Sequence, residues 1–225
     1  MGRTITRDEA AAFYDRFGSG LDRMRKFEDR ARIRLARHGD FGAARSVFEF
    51  GCGTGRLAEL LLSRSLPADA RYLGVDVSSR MVEIARARLA RFGRRAEVAL
   101  TDGSVRVPGA AGRFDRFVAT YVLDLLSEGD ARVLLGEAHR VLAAGGLACL
   151  AGLTHGVTPA SRLVSSLWGA VQSCAPARVG GCRPVRLVGL LPRGEWRVRC
   201  REVLVTLAVP AEVVVAERVD HHGRR

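Results

Sequence analysis

The sequence holds a single lysine, Lys26, among 36 basic residues, so its formal charge of +12 at pH 7 is almost wholly arginine. A G+C-rich coding sequence writes so lopsided a ratio into surface positions whatever the function, and no segment gathers the charge into a stripe. A solvated basic surface is the reading this favours; nucleic acid or an anionic membrane surface are the alternatives. No apolar run approaches the roughly 20 residues needed to cross a bilayer. The opening MGRTITRDEA lacks an apolar stretch behind a basic start, so no secretory signal is expected and a cytoplasmic location is the default. The five cysteines, at 52, 149, 174, 182 and 200, form no C-x-x-C pair and are odd in number, which argues against a disulfide framework. Cysteine and histidine do not cluster at metal-ligand spacing, His221-His222 included, so no metal is expected.

What the chain does have is enough length and apolar content for one large domain: 225 residues, 48% hydrophobic and 27% charged. Residues 1–45 read as short amphipathic helices ahead of the main fold. Thr6 and Glu9 form a capping box, Phe13, Tyr14 and Phe17 share a helical face, and past Gly18-Ser19-Gly20 a second face carries Leu21, Met24 and Phe27. Thereafter short apolar runs alternate with helical periodicities, the pattern of a parallel sheet with crossover helices. Strands are predicted at Ser46–Phe50, Tyr72–Asp76, Ala96–Leu100, Phe114–Thr120 and Leu147–Leu153. Between them fall a helix over Arg56–Arg64, one capped by Ser79 that shows Val82, Ala85, Leu89 and Phe92, and one opened by Ser127 with Asp130. This last ends near Leu142, with Gly145-Gly146 as its left-handed cap.

Beyond the fifth strand, Thr158-Pro159 starts a helix through about Val171, Ala175–Pro184 reads as loop and Val185–Leu191 as a short helix. Trp196, Val198 and Cys200 alternate with Arg197, Arg199 and Arg201; the apolar phase then shifts to Val203, Val205 and Leu207, which predicts a bulge near Glu202. Pro210 is expected to turn the chain into a last strand, Glu212–Arg218, antiparallel to its predecessor.

The stretch FEFGCGTGRLAELLL carries the most chemistry. A strand ends at Phe50, glycines follow at 51, 53 and 55, and a helix begins at once, so a ligand can lie directly on bare main chain at the helix's positive end. Asp76 then closes the second strand, where a carboxylate can accept both hydroxyls of a ribose. Spacing alone leaves a dinucleotide open, because counting from Gly53 the third glycine of G-x-G-x-x-G falls on the tolerated Ala58.

The chain resembles the class I S-adenosylmethionine-dependent methyltransferases, through several motifs in order. Val47–Gly55 matches the first, with Glu49 at its acidic position; Asp76 in YLGVDVSSRM, Thr101-Asp102-Gly103, FDRFVATYVLDLL and VLAAGGLACLAGLTHG match those that follow. Quinone-precursor and phospholipid methyltransferases look similar in architecture. The resemblance implies an α/β, Rossmann-like doubly wound seven-stranded sheet in order 3-2-1-4-5-7-6 with strand 7 antiparallel. N-terminal lid helices (1–45) would precede a methyltransferase domain (46–225) containing a substrate-shaping segment (156–195) and a closing hairpin (196–219). S-adenosyl-L-methionine is the implied cofactor. Gly51, Cys52, Gly53 and Gly55 would underlie its methionine part with Glu49 near the amino group, and Asp76 would bind the ribose. Val77 and Met81 would sandwich the adenine, Asp102 and Gly103 would meet its edge, Thr120 and Tyr121 would border the sulfonium, and Tyr14 would close over it.

Methyl transfer from a sulfonium is an in-line displacement that asks for a nucleophile held about 3 Å from the methyl. A base is needed only where the acceptor must lose a proton. His155, beyond the fifth strand, leads the candidates, followed by Asp124 and Tyr121. Cys52 suits its place by small size rather than as a nucleophile. The expected acceptor is a small molecule or lipid-like compound, with RNA, or a non-catalytic cofactor-binding module, as alternatives. An NAD-dependent reductase would need a Tyr-x-x-x-Lys pair, and the one lysine lies outside the site.

Overall fold

The computed structural model describes residues 6–17 and 27–220. Helices α1 (Arg7–Phe17) and α2 (Phe27–His38) come first. There follow β1 (Ser46–Phe50), α3 (Arg56–Arg64), β2 (Arg71–Asp76), α4 (Ser79–Leu89), β3 (Ala96–Leu100), β4 (Phe114–Thr120), α5 (Glu128–Val141) and β5 (Leu142–Leu153). The chain closes with α6 (Pro159–Cys174), β6 (Trp196–Thr206) and β7 (Val209–Arg218). The seven strands form one sheet in the order β3-β2-β1-β4-β5-β7-β6, parallel except for β7, which runs against both its neighbours. This is the expected Rossmann-like topology.

Central strands buried on both faces need helices on both sides, and the core divides accordingly. Val47, Val118 and Val215 meet Leu35, Leu61 and Val82 of α2, α3 and α4 on one face. Phe48, Phe117 and Val214 meet Leu134, Leu135 and Leu187 on the other. Each large side chain sealed there contributes about 1.5–3 kcal/mol. Successive strands step from β1 outward to β2 and β3, and the chain then returns to β4 on the other side of β1. A crevice opens where the order reverses, at the carboxyl ends of β1 and β4.

Helix α2 lies against β5, β6 and β7 and so belongs to the helical layer rather than to a lid. Polar contacts fix it there: Arg34 donates to Glu202 at 2.6–3.1 Å, and the buried Arg116 of β4 donates Nε to the Gly39 carbonyl at 2.6 Å. Among the described residues, it is α1 that covers the crevice. Asp15 accepts from the Ser78 hydroxyl at 2.5 Å and the Arg80 amide at 3.2 Å, which docks α1 onto the start of α4. The Leu21 and Met24 part of the predicted second helical face lies outside the described residues.

Capping boxes at Thr6–Glu9 and Thr158–Ser161 are present, as is the Ser127 cap on Asp130. Five expectations need correction. Ser78, not Ser79, caps α4, accepting from the Met81 amide at 3.1 Å. Gly145-Gly146 is no helix cap: α5 ends at Val141, Leu142 is already extended, and the glycines absorb a register shift inside a longer β5. The bulge in β6 falls between Val198 and Cys200 instead of near Glu202. The hairpin turns at Leu207-Ala208, both with positive φ, while Pro210 lies within β7 opposite Val205. Val185–Leu191 contracts to a single tight turn, Leu187–Leu190, held by its amide bond to the buried Glu212 at 2.6 Å. No helix among the described residues is long and apolar enough to cross a membrane.

Candidate active site

A cavity of about 1180 Å³, counting its open mouth, fills the crevice. The glycine loop forms its floor. Gly51 and Cys52 donate their amides to the Val75 carbonyl at 2.8 and 3.0 Å, so β1 hands the chain over while still bonded to β2. Gly53 then takes φ +52, and a Cβ there would meet nothing within 4 Å; its bare main chain faces the cavity. Gly51 is bare for another reason: a Cβ would come within 2.3 Å of Val122 Cγ2, which lies over it. Gly55 does not line the cavity but lets α3 close on α4, where its Cβ would lie 3.2 Å from that of Ala85.

Asp76 stands at the lip of this floor, 7% exposed. One carboxylate oxygen accepts the Gly53 amide at 2.8 Å, and the other accepts the Ser78 amide at 3.0 Å. Burial raises its pKa, an effect the backbone amides of Ser78, Gly53 and Val77 oppose. Glu49, 1% exposed on β1, accepts the Tyr72 hydroxyl from β2 at 2.6 Å. Burial lifts its pKa to about 7, against the pull of Tyr72 and the Arg32 cation. Burial likewise pushes the Cys52 thiol up, which disfavours the thiolate a nucleophile requires.

Gly74 makes this arrangement possible. A Cβ there would fall 2.6 Å from the Tyr72 hydroxyl and 3.0 Å from Cys52 Sγ, both enclosed by sheet and helix. Gly74→Ala is expected to lower stability by about 1–3 kcal/mol through overpacking. A urea titration checks it; an unchanged midpoint would show that Tyr72 gives way freely.

Val77, Met81, Thr101 and Gly103 form one side wall, and Thr120, Tyr121, Val122, Leu125 and Leu126 the other, with Thr6 and Tyr14 of the α1 region above. Tyr121 is held at φ +56, an uncommon conformation for a non-glycine residue, while its amide donates to the Ala151 carbonyl at 2.7 Å. Of the three candidate proton-handling groups it is the one the structure brings to the cavity. Asp124 is fully buried elsewhere, accepting the Leu153 amide at 3.0 Å and so fastening the exit of β4 to the end of β5. His155 is exposed beyond β5 and outside the lining. Asp102 also lies outside it, exposed and accepting the Ser104 amide at 2.8 Å in a local turn.

Sequence reasoning missed the charged rim. Glu28 and Arg32, one turn apart on α2, line the cavity and bond each other. Arg32 also donates to Asp29 at 3.1 Å, and Asp29 accepts from Arg56 at 2.9 Å. Nothing in the local sequence marks them, because their place depends on where α2 docks. Among the described residues, no group of three His, Cys, Asp or Glu side chains could hold a metal ion.

Residues 47–146 match a family described as a methyltransferase domain. Mettl2 of Drosophila melanogaster, a tRNA N(3)-methylcytidine methyltransferase, is 30% identical over 150 residues, covering 62% of this chain and 46% of that protein. The demethylmenaquinone methyltransferase of Lactococcus lactis subsp. lactis (strain IL1403) is 31% identical over 114 residues, covering 51% and 44%. The chain thus spans less than half the length of these relatives. Among solved structures, the N-methyltransferase NodS of Bradyrhizobium japonicum WM9, in complex with S-adenosyl-L-homocysteine, gives a TM-score of 0.65 at 20% identity, covering 87% of this chain and 89% of that one. Likeness at that identity is one of fold.

Proposed function

We propose that this chain, whose residues 47–146 match a methyltransferase domain, is a class I S-adenosylmethionine-dependent methyltransferase that methylates a small-molecule or lipid-like acceptor. The observation that carries the reading is the open floor at Gly53 with the buried Asp76 carboxylate at its lip. A nucleoside fits the donor set around it. Asp76 would accept the ribose hydroxyls, Val77 and Met81 would flank a flat base, and the Thr101–Gly103 turn would meet the base edge. Glu49 would receive an ammonium and Arg32 a carboxylate, the two charges of an amino acid.

Bound S-adenosylmethionine supplies an electrophilic methyl on a good leaving group. The chain's own part is to orient and to exclude water. Thr120 and Tyr121 would border the reacting end, and Val122, Leu125 and Leu126 would form an apolar acceptor wall beneath the Tyr14 cover. His155 and Asp124 drop out as bases on this placement. Tyr121 remains the one group of the three able to touch an acceptor proton.

The apolar wall favours an apolar acceptor, and the demethylmenaquinone relative is in keeping with one. An RNA acceptor is the second reading, supported by the tRNA-modifying relative and the charge of +12. Calorimetry with S-adenosylmethionine comes first: a one-to-one binding heat is expected, and a folded sample giving none would remove the whole reading. Radiolabelled methyl transfer to a demethylated quinol and to unmodified tRNA, run side by side, then separates the two acceptors. Binding without transfer to either would mark a non-catalytic module.

A further inference from the structure

Helix α6 turns large hydrophobic residues to its outer face while small and polar ones are its most buried. Ser161, Ser165 and Gln172 are its buried residues, whereas Leu163, Leu167 and Val171 stand 62%, 57% and 40% exposed at intervals of four. The inward face is satisfied by polar contacts: Ser161 accepts the Val157 and Thr158 amides at 3.0 and 2.9 Å, and Ser165 the Gly156 amide at 3.0 Å. Val157, just before the helix, is 51% exposed, and Leu207, at the hairpin turn beside it, 90%. The Thr154 amide bonds the Pro210 carbonyl at 3.1 Å, which brings those two turns together. Of the nine large hydrophobic residues exposed among the described residues, five lie on this helix and its two neighbouring turns, too concentrated to be scattered surface residues.

Charge selects the occupant of this face. From His155 to Gly194 the chain carries five arginines and no aspartate or glutamate. Arg162, on α6 itself, and Arg186 are exposed, whereas Arg183 turns inward to the Leu126 carbonyl at 2.6 Å and Arg193 precedes Trp196 at the other end of the hairpin from Leu207. A second copy of the chain meeting this face with its own would set Arg162 and Arg186 against their counterparts with no acidic residue of the segment to offset them, which disfavours self-association. Nucleic acid would answer the charge but not the aliphatic stripe, since leucine and valine offer bases no stacking platform. An anionic lipid bilayer answers both, with leucine and valine seated at the acyl boundary and arginines among the headgroups.

We propose that α6, with Val157 and Leu207, docks this protein peripherally on anionic lipid bilayers. The docking stands whichever acceptor is used. Its consequence for catalysis, that an apolar acceptor could reach the cavity without crossing water, rests on the proposed function. The loop after α6 adjoins the cavity cover: a Cβ on Gly180 would lie 3.0 Å from the ring of Phe13 in α1.

Flotation of the intact protein with vesicles tests this, using phosphatidylcholine alone and phosphatidylcholine mixed with phosphatidylglycerol. The protein is expected to float with the mixed vesicles, and Leu163→Glu/Leu167→Glu to lose at least tenfold in partitioning while binding S-adenosylhomocysteine unchanged. Cys174, exposed at the end of α6, offers a second readout. In a Cys200→Ser background, a polarity-sensitive dye on Cys174 should shift to the blue on mixed vesicles only. The proposal is overturned if the wild type stays with the soluble fraction, if the double variant floats equally well, or if the dye responds to tRNA or to protein concentration instead of lipid. S-adenosylhomocysteine binding measured in the same samples keeps the two readings apart: binding without flotation sinks the docking alone, and flotation without binding sinks the cofactor assignment alone.

Discussion

Asp76→Ala is expected to weaken S-adenosylhomocysteine binding by about a hundredfold or more. A hydrogen bond to a charged group contributes about 1.5–3 kcal/mol, and on the proposed reading the carboxylate accepts two from the ribose, so even the lower figure gives about 3 kcal/mol. The same side chain holds the Gly53 and Ser78 amides, and its removal also loosens the floor on which the ligand would lie. Asp76→Asn should fall nearly as far. Both carboxylate oxygens already accept from backbone amides, and an asparagine has one acceptor oxygen, so its NH2 would face an N–H. Calorimetry on the two variants, with circular dichroism to confirm folding, measures this. A loss below tenfold in both would mean that the ribose is held elsewhere.

The affinity for S-adenosylhomocysteine is also expected to depend on pH through Glu49. Burial places its pKa at about 7, and only the ionised form attracts an ammonium. Affinity should therefore fall as pH drops below about 7, approaching tenfold per pH unit, and level off above. Folding stability moves the other way. The folded pKa lies above the unfolded one, so the stability advantage of a protonated Glu49 is complete below the unfolded value of 4.5 and is lost as pH rises to about 7. Glu49→Gln should flatten the binding profile, weaken binding at pH 8, and raise the melting temperature of the ligand-free protein there. A wild-type profile flat between pH 6 and 8 would place the ammonium away from this carboxylate.

What was legible in the sequence was what short stretches decide alone. Strand β1, the glycine loop, helix α3 and Asp76 follow one another within one crossover unit, and there turn chemistry and periodicity agree. The charged rim was not legible. Arg32 reaches the cavity because Arg34 finds Glu202 and Arg116 finds Gly39, partners far apart in the chain. His155 illustrates a second limit. Leu153 and Thr154 are buried and the next residue is exposed, so a position read correctly as the end of a strand still says little about which way its side chain turns. The hairpin turn was hidden because neither Leu207 nor Ala208 is a usual turn residue, and a nearby proline drew the reading instead.

The seating of Val122 over Gly51 joins two parts of the pocket that would otherwise be adjustable separately. On the proposed reading, trimming residue 122 to admit bulkier acceptors would leave a void directly above the stretch of main chain on which the cofactor's methionine part would lie, and enlarging it would press that stretch downward. Selectivity for one reactant and grip on the other would then be mechanically linked, and redesign of the acceptor range would have to begin at positions such as Leu125 and Leu126, away from that seam.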